Sequence, residues 1–302
     1  MVRTLATADI GSNTAHLLVA QSDGHTVIKL ESSSEWIGLG ELIARNRTLP
    51  DETVARITET LKGFLITAKA RGAESIYVFA TEAIRRALNG AEACEAIERE
   101  TKLLVDVIAP KREAELSLRG AELDTPTLRA GFLFEIGGGS LQIGELEEGT
   151  LRRSHSLPLG TGSLVAATEL RSPCPRPILE AARDFVERTF EGVDILSREC
   201  QGIASGGVAR GIWRALHPDG DPMLSPEEFD YLVWAASHLS RDQLSERFRV
   251  KYKRAGTLLP GALVFQTLVR RYEVGELRVS QYGIREGAIL EMATGKIEAR
   301  RL

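Results

Sequence analysis

Short apolar runs bounded by polar turns alternate along this chain with longer stretches in which apolar residues recur every three or four positions. The run over 4–8 predicts a strand and the run over 15–21 a second. The string Asp9-Ile10-Gly11-Ser12-Asn13-Thr14 between them predicts a tight turn. Val54, Ile57, Leu61, Phe64, Leu65 and Ala68 keep helical spacing, which predicts an amphipathic helix over 51–71 with Asp51 as its cap and Gly72 as its terminator. Strands over 75–80 and 103–108, helices over 82–88 and 91–101, and a helix from Lys111 onward continue the alternation. Asp124-Thr125-Pro126 then punctuates the chain, dividing it into a first domain over 1–124 and a second over 125–302. The second opens with a strand over 131–136, the turn Gly137-Gly138-Gly139-Ser140 and a strand over 141–146. Helices near 176–193, 208–216, 226–239 and 255–272 and strands near 201–204 and 276–279 follow.

A unit of strand, acid, small-residue turn and strand thus occurs twice at domain-sized separation, once around Asp9 and once around Glu135. Two copies so far apart indicate two related lobes rather than a solenoid, and 302 residues suffice for two cores. Two lobes imply a cleft. Composition is that of an ordinary globular protein, with 43% hydrophobic and 26% charged residues. The net charge of -4 lacks the field of a protein that coats nucleic acid, so no nucleic-acid partner is expected. Cys94, Cys174 and Cys200 are odd in number and widely spaced, which fits neither a disulfide framework nor a zinc site. No apolar segment approaches the ~20 residues of a membrane span. Without a leader-like start, the expected location is the cytoplasm, with no membrane partner.

Candidate chemistry concentrates on the two turns. Glycines let backbone N–H groups approach an anion without an intervening Cβ, and successive N–H groups make a concave nest for phosphate oxygens. Ser12, Asn13, Thr14 and Ser140 add side-chain donors to the backbone of Gly137, Gly138 and Gly139. Asp9 and Glu135 repel phosphate unless a cation intervenes, for which Mg²⁺ is the natural candidate and Mn²⁺ the substitute. Either turn alone also describes an ordinary hairpin; their duplication is what points to function. The five histidines contain no His-x-x-x-His pair, and neither Gly-x-Ser-x-Gly nor the nucleotide P-loop signature occurs. Basic clusters such as Arg152-Arg153 and Lys251-Tyr252-Lys253-Arg254 read first as solvated helix faces.

Four strings occur together and in order: 9–14 with His16, Ala80-Thr81-Glu82-Ala83-Ile84-Arg85-Arg86-Ala87-Leu88-Asn89, Glu135-Ile136-Gly137-Gly138-Gly139-Ser140, and Gly283-Ile284-Arg285-Glu286-Gly287. With them the chain resembles the exopolyphosphatase and guanosine pentaphosphate phosphohydrolase family over nearly its whole length. The resemblance implies an α/β fold of two ribonuclease-H-like lobes of the actin-like ATPase superfold around a cleft. It also implies Mg²⁺-assisted hydrolysis of the terminal phosphate of inorganic polyphosphate or guanosine pentaphosphate, with the tetraphosphate as product or ligand, and a homodimer. Arg85 falls on the family's phosphate-approaching arginine, and Thr81 and Asn89 match the same motif, though both also suit helix caps. Glu113 falls on its catalytic glutamate, the base for the attacking water.

This sequence departs from the family at the second turn. Glu135 stands for an aspartate, and Ser140-Leu141-Gln142 closes a motif that elsewhere ends in a hydroxyl and a carboxylate. Gly162-Ser163-Leu164 lacks an arginine often found there, and Val208 replaces a threonine. These losses motivate a rival expectation, a weakened member that binds polyphosphate or a guanosine alarmone as a sensor. A sugar kinase or ATPase of the same superfold is the third. The reading adopted is hydrolysis by direct attack of water, because the motifs offer donors and a base but no nucleophilic side chain.

Overall fold

The computed structural model describes residues 1–193 and 200–302. The chain forms two compact units, Met1–Leu123 with Tyr282–Leu302, and Asp124–Gln281. Met1–Leu123 carries β1 (Arg3–Ile10), β2 (Thr14–Ser22), β3 (Val27–Trp36), α1 (Leu39–Asn46), α2 (Asp51–Ala70), β4 (Ser75–Ala80), α3 (Glu82–Arg86), α4 (Gly90–Thr101), β5 (Val105–Val107) and α5 (Pro110–Ala121). Asp124–Gln281 carries β6 (Ala130–Ile136), β7 (Leu141–Glu147), β8 (Thr150–Leu157), α6 (Thr161–Thr168), α7 (Arg176–Thr189), β9 (Cys200–Ser205), α8 (Gly206–Leu216), β10 (Met223–Leu224), α9 (Pro226–His238), α10 (Arg241–Arg247), α11 (Tyr252–Arg271) and β11 (Val274–Val279). The last segment adds α12 (Ile284–Ala293) and β12 (Arg300–Arg301).

Both sheets follow one plan. In the first, β1, β2 and β3 form an antiparallel meander, β4 joins β1 in parallel, and β5 joins β4 in parallel. In the second, β6, β7 and β8 form the meander, β9 joins β6 in parallel, and β11 joins β9 in parallel. Each unit therefore has the ribonuclease-H-like strand order, and the chain is an α/β protein of the actin-like ATPase superfold.

Period-two alternation sorts β1 onto two faces. Ala6, Ala8 and Ile10 join Ile57, Leu61 and Phe64 of α2 in one core, while Leu5 joins Tyr77, Phe79, Leu116 of α5 and Ala288 and Ile289 of α12 in another. Each fully buried leucine or isoleucine there contributes roughly 2 kcal/mol of apolar burial. The second unit packs Phe132, Phe134 and Ile136 of β6 into one larger core with its helices. Tyr77 donates its hydroxyl to Asp106 at 2.6 Å, and burial holds the phenol far above its ordinary range, so it stays a neutral donor.

The C-terminal segment differs from the division expected at 124–125, since 282–302 completes the first unit. β12 pairs with β4, placing Arg300 opposite Ile76, and α12 lies against α5 along a seam of glycines. A Cβ on Gly120 would fall inside the carbonyl of Gly283, and one on Gly287 inside that of Leu116, so only glycine allows this approach. The Arg112–Glu291 ion pair fastens the same two helices.

Asp51 is the first residue of α2 and Pro50 its cap, so the carboxylate sits where the helix dipole favours it rather than bonding a terminal N–H. Gly72, at φ 74°, ends that helix as expected. The strand expected over 103–108 is confined to Val105–Val107. The sequence pattern predicts neither the edge strands β3, β8, β10 and β12 nor the helices α1, α6, α10 and α12. Cys94 and Cys174 are free thiols, and burial raises the Cys94 pKa to about 11; the Cys200 side chain lies outside the described residues. Among the described residues, no helix is long and apolar enough to cross a membrane.

Candidate active site

The candidate residues of each unit gather where parallel strands end. Ile10 of β1 lies opposite Ala80 of β4, and Ala80 opposite Val107 of β5, so the turn at 11–13, Thr81 and the path to Glu113 leave the same sheet edge. In the second unit Glu135 lies opposite Ser205, and Ala204 opposite Val279. The carboxyl ends of parallel strands are where α/β sheets bind ligands.

The two turns are gripped from behind in the same way. Gly11 N–H donates to the Thr14 carbonyl at 3.1 Å, and Gly137 N–H to the Ser140 carbonyl at 2.8 Å. The carbonyls of Ser12 and Asn13 accept from the N–H groups of Gly40 at 2.6 Å and of Ile37 and Gly38 at 2.8 and 2.9 Å, all just before or at the start of α1. The carbonyls of Gly137 and Gly138 accept from Thr161, Gly162 and Ser163 at 2.8–3.1 Å, and that of Gly139 from the Ser163 hydroxyl at 3.0 Å, at the start of α6. A trans peptide directs its C=O and N–H oppositely. Gripping these carbonyls therefore turns the N–H groups of Asn13 and Thr14, and of Gly138, Gly139 and Ser140, away from the gripping helix, the arrangement of an anion nest. Gly160 is required here, because a Cβ on it would overlap the backbone of Gly138 and Gly139.

The acids beside the turns meet different partners. Asp9 is buried on the same face of β1 as Leu5, the face covered by α5 and α12. Arg285, in the first turn of α12, brings its Nε to 3.6 Å from Asp9 Oδ2. Glu135 instead accepts a hydrogen bond from the Ser205 hydroxyl at 3.0 Å and lies over Gly206, whose φ of 87° and lack of a Cβ admit the carboxylate. Mg²⁺ takes one or two carboxylates and fills its octahedron with water and phosphate oxygens. Glu135, bonded to a hydroxyl, and Asp9, beside a guanidinium, are the two turn carboxylates that could serve it. Among the described residues no three His, Cys, Asp or Glu side chains converge on a metal position.

Arg85 and Glu113 come together within the first unit. Pro110 opens α5 with its φ already fixed, and Glu113 follows in the first turn, where a carboxylate complements the dipole. Arg85 Nη2 lies 3.4 Å from Glu113 Oε2, while its Nη1 donates to the Ile108 carbonyl at 2.7 Å. The pair is largely buried, with 22% and 12% of the two side chains exposed. Strand-end backbone thus holds one prong of the guanidinium, and the other faces the acid.

The remaining expected residues take structural positions too. Thr81 caps α3 through its backbone, its N–H donating to the Ile10 carbonyl at 3.3 Å and its carbonyl accepting from Arg85 N–H. Ser12 donates its hydroxyl at 3.0 Å to Glu82, a buried acid that also takes Arg86 at 2.7 Å. Asn89 clamps both backbone groups of Leu49 at 2.8 and 2.9 Å, which makes it a brace. Gln142 is buried opposite Glu135, donating to the Ser156 hydroxyl at 2.9 Å. Of the basic clusters, Arg254 reaches across to α8 and donates to the Gly207 carbonyl at 3.0 Å. Two site neighbours escaped the sequence reading, Glu82 and Arg285. Both lie inside quoted strings, but their partners are fixed by packing.

The sequence pattern of the Ppx/GppA phosphatase family matches residues 18–295. Exopolyphosphatase 1 of Mycobacterium leprae is 23% identical over 99% of this chain and 92% of its own length. The crystal structure of the Aquifex aeolicus Ppx/GppA family member superposes with a TM-score of 0.82 at 23% identity, covering 99% of this chain and all of that one. An exopolyphosphatase from Cytophaga hutchinsonii gives 0.85 at 20% identity, covering 97% and 98%. The family pattern spans the second turn, the Arg85–Glu113 pair and the returning helix α12, and the chain belongs to the Ppx/GppA phosphatase family.

Proposed function

We propose that this chain releases phosphate from the end of inorganic polyphosphate, or from guanosine pentaphosphate, by direct attack of water on the terminal phosphorus. The observation that carries the reading is the buried Arg85–Glu113 pair at the carboxyl end of the first sheet. A carboxylate held there beside a phosphate-binding guanidinium is suited to orient a water and take its proton as the new P–O bond forms. The bond to the bridging oxygen then breaks, and the shortened chain leaves as an anion. Arg85, Thr81 and the side chains of Ser12, Asn13 and Thr14 would hold phosphate in the first unit, and the backbone of Gly137 to Ser140 in the second. A bound Mg²⁺ would supply charge neutralisation at the phosphate oxygens, with Glu135 its carboxylate ligand.

Polyphosphate is favoured as substrate because exopolyphosphatases recur among the curated relatives, including a putative one in Haemophilus influenzae. The sensor reading retains one supporting observation, the neutral Gln142 opposite Glu135 where a second acid would strengthen a metal site. Phosphate release from long-chain polyphosphate and from guanosine pentaphosphate, each with Mg²⁺ or EDTA, separates the readings. Metal-dependent release lost in Glu113→Gln supports the hydrolase, and tight binding without release supports the sensor.

A further inference from the structure

We infer that Arg285 is the resident counter-cation of Asp9, a positioning residue that takes the place a metal ion would hold at the first turn. The inference rests on the reading of that turn as phosphate-holding. Alternation along β1 directs Leu5 and Asp9 to one face; Leu5 packs with Ala288 and Ile289 of α12, and Asp9 reaches the start of the same helix. Only 12% of the Asp9 side chain and 16% of the Arg285 side chain are exposed, so water screens their interaction weakly.

The placement of Arg285 is rigid. It lies between Gly283, the N-cap of α12, and Gly287, both in close approach to α5, and Glu286 caps the helix by accepting from Gly283 N–H at 3.0 Å. The backbone that carries the Arg285 side chain is therefore fixed against α5. Its Nη1 is buried and has no hydrogen-bond partner among the described residues. A guanidinium that leaves a donor unused in order to face Asp9 is held there by the fold rather than by an optimal fork.

Two consequences follow from charge alone. An acid beside a phosphate turn is repulsive unless neutralised, and a fixed guanidinium neutralises it without a metal. A divalent cation at the same carboxylate would meet a positive charge already in place. Metal should accordingly bind this protein without using Asp9.

The test is Mn²⁺ binding to the full chain, without substrate, followed by electron paramagnetic resonance and calorimetry. In the otherwise unaltered protein, Asp9→Asn should leave Mn²⁺ affinity unchanged. Arg285→Gln should bind Mn²⁺ about tenfold more tightly or at an additional site, because the carboxylate has lost its cation. Asp9→Asn in that background should remove the gain, and Arg285→Lys, which keeps the charge, should not show it. Loss of Mn²⁺ binding in Asp9→Asn alone, or no gain in a folded Arg285→Gln, overturns the inference. If Arg285→Gln does not fold, Asp9→Asn and Arg285→Lys still decide it. Because no turnover is read, a chain that behaves as expected with Mn²⁺ yet releases no phosphate would fail the hydrolase reading and leave this one standing.

Discussion

The two turns hold their backbones alike and their acids differently. Behind each, the start of the next helix ties down the turn carbonyls, α1 for the first and α6 for the second. In front, the first turn has side-chain partners of its own, with Asp9 facing Arg285 and Ser12 bonded to Glu82. The second has glycine backbone and a single acid bonded to a hydroxyl. The first unit also carries the Arg85–Glu113 pair. A duplicated supersecondary unit has thus kept its main-chain cradle in both copies, while the Asp9–Arg285 and Arg85–Glu113 pairs both lie in one.

The sharpest way to break this division of labour is Glu113→Gln. Loss of a general base lowers turnover by roughly 10²–10⁴-fold, with little change in the thermal unfolding midpoint, as steady-state phosphate release and calorimetry would record. A loss as large from Glu135→Gln would place the chemistry equally in both units. Gly160→Ala comes next, because its Cβ overlaps the turn backbone; overpacking there costs about 1–3 kcal/mol and weakens phosphate binding. Gly40→Ala, whose Cβ would sit 3.3 Å from that of Ser12, should cost less, and equal effects would show that the two cradles are equally tight. Glu135→Gln should then shift the Mg²⁺ concentration for half-maximal release upward by about tenfold while leaving KM for polyphosphate nearly unchanged. The smallest effect is expected from Asn89→Ala: about 1–2 kcal/mol of stability lost with the Leu49 clamp, and no change in kcat. A large fall in kcat would make Asn89 part of the chemistry.

Much of the fold was legible because its signals are local. The alternating runs of β1 and β2, the helical spacing of α2 and the duplicated turns are read within a few residues of each other. The edge strands were not, for a physical reason: β3 buries little, its Lys29 and Ser32 to Ser34 run being polar, so no hydrophobic alternation marks it. Glu113 and Arg85 could be singled out from motifs, but their contact through Ile108 depends on β4 and β5 lying side by side. Arg285 and Asp9 stand near opposite ends of the chain, and no local pattern announces their pairing. Asn89 shows the converse: a motif residue that reads as a phosphate ligand or a cap stands at the N-cap of α4 and spends its amide on Leu49.

The return of α12 and β12 to the first unit also sets an order of events during synthesis. Asp124–Gln281 is continuous and has all its described strands once Val279 has emerged, so it can close its core while 282–302 is still being added. The first unit, although β1 to β5 appear earliest, lacks the helix that packs on Leu5 and Phe79 until 284–293 has emerged. Until then the face of β1 and β4 that carries Leu5 and Phe79 lacks that cover, which makes it the last seam of the first unit to be sealed.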